Sequence, residues 1–154
     1  MTELSTIHKL SQIVEEGTKE AKEILNRPLE SIKLERTTII PNSINKKTLS
    51  EYTWTNRFYE GDNLLIIEKL LKEGYKGKLD LIYIDPPFLT NANYKGRILV
   101  KNGEEKEVIE YFAYRDIWKN GLIGYLEMLY IRLYLMKELL SEKGTIYVHL
   151  DYRT

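Results

Sequence analysis

The sequence predicts an α/β fold with parallel central strands, preceded by an N-terminal helix, and three features carry that prediction. Leu79 to Ile84 is a mostly apolar run of strand length that stops abruptly at Asp85-Pro86-Pro87-Phe88. Gly121 to Lys143 is long, apolar over a wide face and followed by Gly144. Thr145 to Leu150 is a second strand-like run. Strand, helix and strand in that order predict a right-handed crossover between parallel strands. At 154 residues the chain can bury one real core but not comfortably two.

The elements follow in order. From Glu3 to about Asn26 the pattern is helical, with Leu4, Ile7, Leu10, Ile13 and Val14 at three- and four-residue spacing, and Pro28 ends it. Ile32 to Ser50 is polar and aperiodic and carries Pro41, Asn42 and Asn45, which predicts a connector with one short strand near Thr37 to Ile40. Residues 1–50 are thus read as helix plus connector, and 51–154 as the unit that carries chemistry. Arg57 to Tyr59 is a short strand candidate, Gly61-Asp62-Asn63 a turn, and Leu64 to Lys72 a helix. Gly74 and Gly77 flank a second turn.

Leu79 to Ile84 has the composition of a strand buried on both faces of a parallel sheet. Two prolines then forbid continued pairing. Asn91 to Asp116 is a long excursion, with Arg97 to Lys101 and Glu107 to Phe112 predicted to form a hairpin around the Asn102-Gly103 turn signal. Such a long loop inside a compact domain is usually functional. Gly144 is expected to cap the helix Gly121 to Lys143 at its C-terminus.

Composition narrows the chemistry. Lys plus Arg and Asp plus Glu are 23 each, so the formal net charge is zero and any basic surface for a nucleic acid must be local. Without cysteine, disulfide scaffolds, thiolate metal sites and cysteine nucleophiles are excluded. With only His8 and His149, a histidine metal cluster is not expected either. Met1-Thr2-Glu3-Leu4 lacks the basic-then-apolar pattern of a secretory signal. Leu122 to Leu140 is interrupted by Glu127, Arg132 and Lys137, so it does not read as a membrane span. A cytoplasmic protein with no membrane partner and no metal is the default expectation.

The decisive feature is Asp85-Pro86-Pro87-Phe88 at the carboxyl end of a buried strand, the edge where ligand chemistry gathers in open α/β sheets. The pattern suits an exocyclic base amine as substrate. Such a nitrogen is a poor nucleophile because its lone pair is delocalised into the ring. Asp85 and a backbone carbonyl of the turn can accept its two N–H bonds and favour a pyramidal nitrogen aimed at an electrophilic methyl. Proline presents carbonyls without competing donors, and Phe88 offers a flat face on which an extruded base can stack. The absence of cysteine agrees, since methylation at a cytosine ring carbon normally needs a thiolate. Against this stands an ordinary alternative: a double proline also ends a strand, and Asp85 could merely open a turn.

The run Trp54-Thr55-Asn56-Arg57-Phe58-Tyr59-Glu60-Gly61-Asp62-Asn63-Leu64-Leu65, followed by Leu81-Ile82-Tyr83-Ile84-Asp85-Pro86-Pro87-Phe88, resembles the N-terminal half of bacterial adenine-specific DNA methyltransferases of the β order, which include the modification subunits of type III restriction systems. The resemblance continues through Asn91 to Tyr94, Ala113 to Asp116, Tyr125 to Tyr130 and Leu139 to Asp151, covering about Glu51 to Arg153. It implies a partial Rossmann-like methyltransferase domain, with S-adenosylmethionine as methyl donor and DNA as partner. It also brings a homodimer and a restriction subunit into consideration.

Carried over by position, the resemblance implies that Asp85, Pro86, Pro87 and Phe88 are the catalytic motif. Asp85 and the Pro86 carbonyl would hold the target amine, and Phe88 would stack on the base. Phe88 departs from the commoner tyrosine there, which keeps the ring and removes a hydroxyl. Asp62 is similar to the acidic residue near the cofactor's adenosine, although an Asp in front of Leu64 to Lys72 is also a natural helix cap. Asp151 matches a position lining the cofactor pocket, although a strand-end turn would explain it equally. His8, His149, Trp118 and the twelve tyrosines read as packing residues rather than catalysts.

In this family the glycine-rich cofactor loop lies beyond a target-recognition region. None of the nine glycines here is separated from another by a single residue, so no Gly-x-Gly loop is present, and no P-loop is present either. The expectation is therefore a fragment or truncated reading frame of the catalytic domain that does not methylate DNA alone. Its binding of S-adenosylmethionine is expected to be weak or nil, and calorimetric titration of residues 1–154 showing micromolar binding would contradict that.

Three alternatives stay open. Cytosine N4 could be the target, since the same geometry serves either amine, and the Asp at the motif's first position leans toward adenine. The chain could be a non-catalytic remnant or partner domain. An RNA or protein-amide methyltransferase is the third.

Overall fold

Small residues share the buried face of the first helix with two isoleucines and set how closely it lies. The computed structural model describes residues 3–28, 57–102 and 105–152. Helix α1 (Glu3–Asn26) buries Ile13, Gly17, Ala21 and Ile24, a stripe at three- and four-residue spacing. Ile7, Leu10 and Val14, read as part of its apolar face, stay exposed. The reason is steric: a Cβ on Gly17 would lie 2.5 Å from the Tyr130 ring, so a bare backbone is what permits the approach. Thr18 and Tyr130 hydroxyls bond across the contact at 2.8 Å. The strand expected near Thr37 to Ile40, and Trp54 to Asn56 of the resemblance, lie outside the described residues.

Arg57 to Glu60 has no regular structure, so the short strand expected there is not formed. Strand β1 pairs with β4, and no described strand offers Arg57 to Tyr59 a partner. Helix α2 (Asn63–Leu70) starts where Asp62 caps it, accepting from the Leu64 amide at 2.9 Å. It runs into a π-helical turn (Leu71–Tyr75) that Gly74 ends with φ 86°. Glu68 on α2 is buried, and Lys72 answers it at 2.9 Å. The same ammonium donates to the carbonyls of Ile24 and Arg27, where α1 ends and its intrahelical bonds run out.

Strand β1 (Leu79–Ile84) pairs in parallel with β4 (Leu140–Val148). The partners Leu81–Thr145, Ile82–Ile146, Tyr83–Tyr147 and Ile84–Val148 run in step after an irregularity between Leu79 and Leu81. Helix α3 (Leu122–Leu139) connects them across the core. The core joins Ala21 and Ile24 of α1, Ile67 of α2, and Ile131, Leu135, Met136 and Leu139 of α3, with Leu79, Ile82, Ile84 and Ile146 of the strands against it. The parallel strands and the leading helix expected from sequence are thus observed.

Two expectations need correction. β1 is not buried on both faces: Leu81, Tyr83 and Tyr147 are about 60% exposed, because the helices cover one face and no described element covers the other. Helix α3 also ends at Leu139 rather than Lys143. Leu140 is already extended at φ −68°, ψ 138°, and Gly144 lies inside β4 rather than at a helix cap. Gly144 is needed for space. A Cβ there would sit 2.6 Å from the Leu79 carbonyl oxygen and 2.9 Å from Leu140 Cδ2.

The excursion between β1 and α3 is a two-stranded antiparallel ribbon, β2 (Ala92–Asn102) with β3 (Glu105–Asp116), longer than the hairpin expected. A register shift between Tyr94 and Lys95 leaves Ala113 as the extra residue on β3. Gly96 pairs with Tyr111, whose ring covers the bare glycine backbone. No helix among the described residues is long and apolar enough to cross a membrane, and none of their His, Asp and Glu side chains cluster in threes fit for a metal.

Candidate active site

The two parallel strands end together. Ile84 pairs with Val148, and the His149 amide donates to the Ile84 carbonyl at 2.9 Å. Everything after these residues therefore emerges at one carboxyl edge, where the chain no longer spends its backbone groups on the sheet. Asp85 is exposed there, while Pro86, Pro87 and Phe88 are half-buried. The Phe88 ring meets His149 edge to face, with centroids 5.6 Å apart and planes at 63°. His149 is thus a packing residue, and what it packs is the aromatic ring of the motif.

The segment after Phe88 is held in an uncommon backbone shape. Leu89 (φ 55°) and Asn91 (φ 57°) both occupy the left-handed region without being glycine, at a cost on the order of 1–3 kcal/mol each. Between them, Thr90 donates its amide and its hydroxyl to Asp116 Oδ2, each at 2.7 Å. Trp118 Nε1 donates to Asp116 Oδ1 at 3.0 Å. Hydrogen bonds to a charged acceptor contribute about 1.5–3 kcal/mol each, enough to offset the strain. The Tyr94 hydroxyl donates to Thr90 Oγ1 at 3.0 Å, and the Tyr94 ring stacks on Tyr114 at 4.5 Å and 13°.

Electrostatics agree with this geometry. Burial alone would raise the Asp116 carboxyl, but bonds from Thr90, Trp118 and the Leu89 amide outweigh it and hold the group below its ordinary range. The folded value is depressed, so this stabilisation is fully present at neutral pH and is lost only as pH falls below the ordinary carboxylate range. The Tyr114 hydroxyl is pushed up, first by lost hydration and then by Tyr94, Asp116 and Asp85. Tyr125 packs edge to face on Trp118 at 5.7 Å, and its buried hydroxyl has no hydrogen-bond partner among the described residues.

Asp85 to Phe88 and Asp151 are brought to the same edge, Asp151 half-buried three residues beyond β4. Asp62 is engaged at the start of α2, where its Oδ1 takes the Leu64 amide and the Arg132 guanidinium, both at 2.9 Å. Arg132 is itself fixed to Asn63 and to the Met128 carbonyl. Asp116, Thr90 and Trp118 were not singled out as a unit from sequence. A usable signal was there: an excursion that leaves and rejoins the sheet edge must be tied where its ends meet, and Asp116 is its last residue.

A parallel strand pair with an Asp-Pro-Pro-aromatic turn at its carboxyl edge points to a class, and known proteins agree with it: the homologues of this chain are methyltransferases and Mod subunits of restriction-modification enzymes. It is 38% identical over 98 residues to the type II methyltransferase M.EcaI of Enterobacter cloacae, covering 64% of this chain and 18% of that protein. It is 29% identical over 126 residues to the Mod subunit of the type III restriction-modification enzyme StyLTI of Salmonella typhimurium, covering 74% and 19%. With the EcoP15I Mod subunit of Escherichia coli the values are 30% over 108 residues, 60% and 16%. The chain therefore spans under a fifth of the length of these curated relatives. No family model matches it, and no solved structure matches it significantly.

Proposed function

We propose that this chain carries the amine-binding edge of an S-adenosylmethionine-dependent DNA methyltransferase that modifies N6 of adenine. The observation that carries the reading is the exposed Asp85 beside a ring, Phe88, braced by His149 where two parallel strands end. The methyltransferase and Mod names of its relatives support it, and the parallel pair fits the centre of a Rossmann-like sheet completed by further strands.

In this reading Asp85 accepts one N–H of the extruded adenine amine and the Pro86 carbonyl accepts the other. Both bonds draw the nitrogen toward a pyramidal shape and free its lone pair. Pro87 keeps a competing N–H out of the turn, and Phe88 stacks on the base. The methyl donor supplies an electrophilic carbon on a sulfonium. The chain's acidic groups fit that donor's chemistry: Asp151 at the edge would complement its cation, and Asp62 at the head of α2, whose Oδ1 serves the helix cap and Arg132, would accept from a ribose hydroxyl through Oδ2. The proton released by the amine passes to Asp85 or to water.

DNA is the partner of the whole protein, together with a second copy and a restriction subunit of the kind that Mod subunits imply. The test is chemical. The full-length protein is incubated with DNA and labelled donor, and the DNA is digested to nucleosides. N6-methyladenine is the expected product; N4-methylcytosine would reassign the base, and no methylated nucleoside would overturn the reading.

A further inference from the structure

Two carboxylates are buried among the described residues, and they are held in different ways. Glu68 has the Lys72 ammonium beside it. Asp116, 1% exposed, forms no ion pair among the described residues and is held by uncharged donors, the Thr90 amide and hydroxyl and the Trp118 indole. Burying a charge without a counter-ion is costly, so its persistence implies that its bonds secure something the fold would not otherwise keep.

What they secure is Thr90, flanked by two left-handed residues and two positions past Phe88. Asp116 is also the last residue of β3, paired with Ala92 at the base of the ribbon. One side chain thus ties together the exit of the Asp85–Phe88 turn, the base of the β2–β3 ribbon and, through Trp118, the buried Tyr125 of α3.

We propose that Asp116 is a positioning residue for methyl transfer, acting through Thr90 to fix the segment that leaves Phe88. The inference rests on the reading of Asp85 to Phe88 as the amine-binding motif. Asn at 116 would not substitute. Oδ2 already takes both Thr90 bonds and Oδ1 takes Trp118, so an amide nitrogen in either place would set donor against donor. Displacing reacting groups by about an ångström can cost on the order of a hundredfold in rate.

The test uses the full-length protein. Asp116→Asn and Thr90→Val are expected to slow single-turnover methyl transfer at least roughly tenfold while DNA affinity stays within about twofold, because positioning acts on the reacting geometry and not on phosphate contacts. Thr90→Ser, which keeps both donors, is expected to retain the rate. Slow amide exchange at Thr90 in the parent and fast exchange in Asp116→Asn would report the broken tie directly. Should Asp116→Asn fail to fold, Thr90→Val decides, since it keeps the carboxylate and the backbone bond.

Parental rates in both variants overturn the proposal, as does an equal loss of rate and DNA affinity that Thr90→Ser shares. Asp85→Ala measured alongside separates the two readings. An active Asp85→Ala removes the proposed site itself, whereas an inactive one beside a fast Asp116→Asn removes only the role of Asp116. A parent protein that transfers no methyl group overturns both.

Discussion

Asp85→Ala in the full-length protein is expected to lower methyl transfer by about a thousandfold or more, within the range seen when a group that handles the reacting proton and charge is removed. DNA affinity should change little. Asp85 is exposed and, among the described residues, enters no hydrogen bond or ion pair that would hold the fold. Loss of its side chain therefore leaves Phe88 against His149 and Thr90 against Asp116. Asp85→Asn is expected to fall between the two, because it keeps one oxygen acceptor and turns the other toward donation. Single-turnover assays set beside an anisotropy titration of DNA separate rate from binding. Turnover near the parental value in Asp85→Ala would take this carboxylate out of the mechanism.

The largest structural effect is expected at Gly144. A methyl group there would stand 2.6 Å from the Leu79 carbonyl oxygen and 3.1 Å from the Ser141 amide nitrogen, both main-chain atoms that cannot swing aside. Gly144→Ala is expected to cost about 3 kcal/mol, the upper part of the range for overpacking. The midpoint of thermal unfolding should then fall by roughly 6–12 °C for a protein of this size. The loss should be felt where β1 and β4 run side by side, since Gly144 lies between the paired positions Leu140 and Thr145. A Gly144→Ala variant that melts with the parent protein would show that the strand start can relax, and that the close approach is not a constraint.

The candidate site was readable as far as it depends on consecutive residues. Asp85 to Phe88 is a local string, and its place at a strand end follows from the apolar run before it. Asp116 was not readable in the same way. Its partners Thr90 and Trp118 are distant or off-pattern in sequence, and only the ribbon's return brings the carboxylate back to the loop it left. Asp62 shows a third case: the same oxygen serves a cap and an ion pair with Arg132, seventy positions away in the chain.

From the residues alone came the leading helix, the parallel strand pair with its connecting helix, and the turn expected to hold the amine. Each of these rests on hydrophobic periodicity or on the backbone limits of proline, which act over a few neighbouring positions. Folding in three dimensions settled the rest. It chose Gly17 and Ala21 over Leu10 and Val14 as the face of α1, moved the end of α3 back to Leu139, left one face of β1 exposed, and gave Asp116 its partners. Those outcomes depend on how closely two backbones approach and on which surface a neighbour covers, quantities that exist only once distant segments meet.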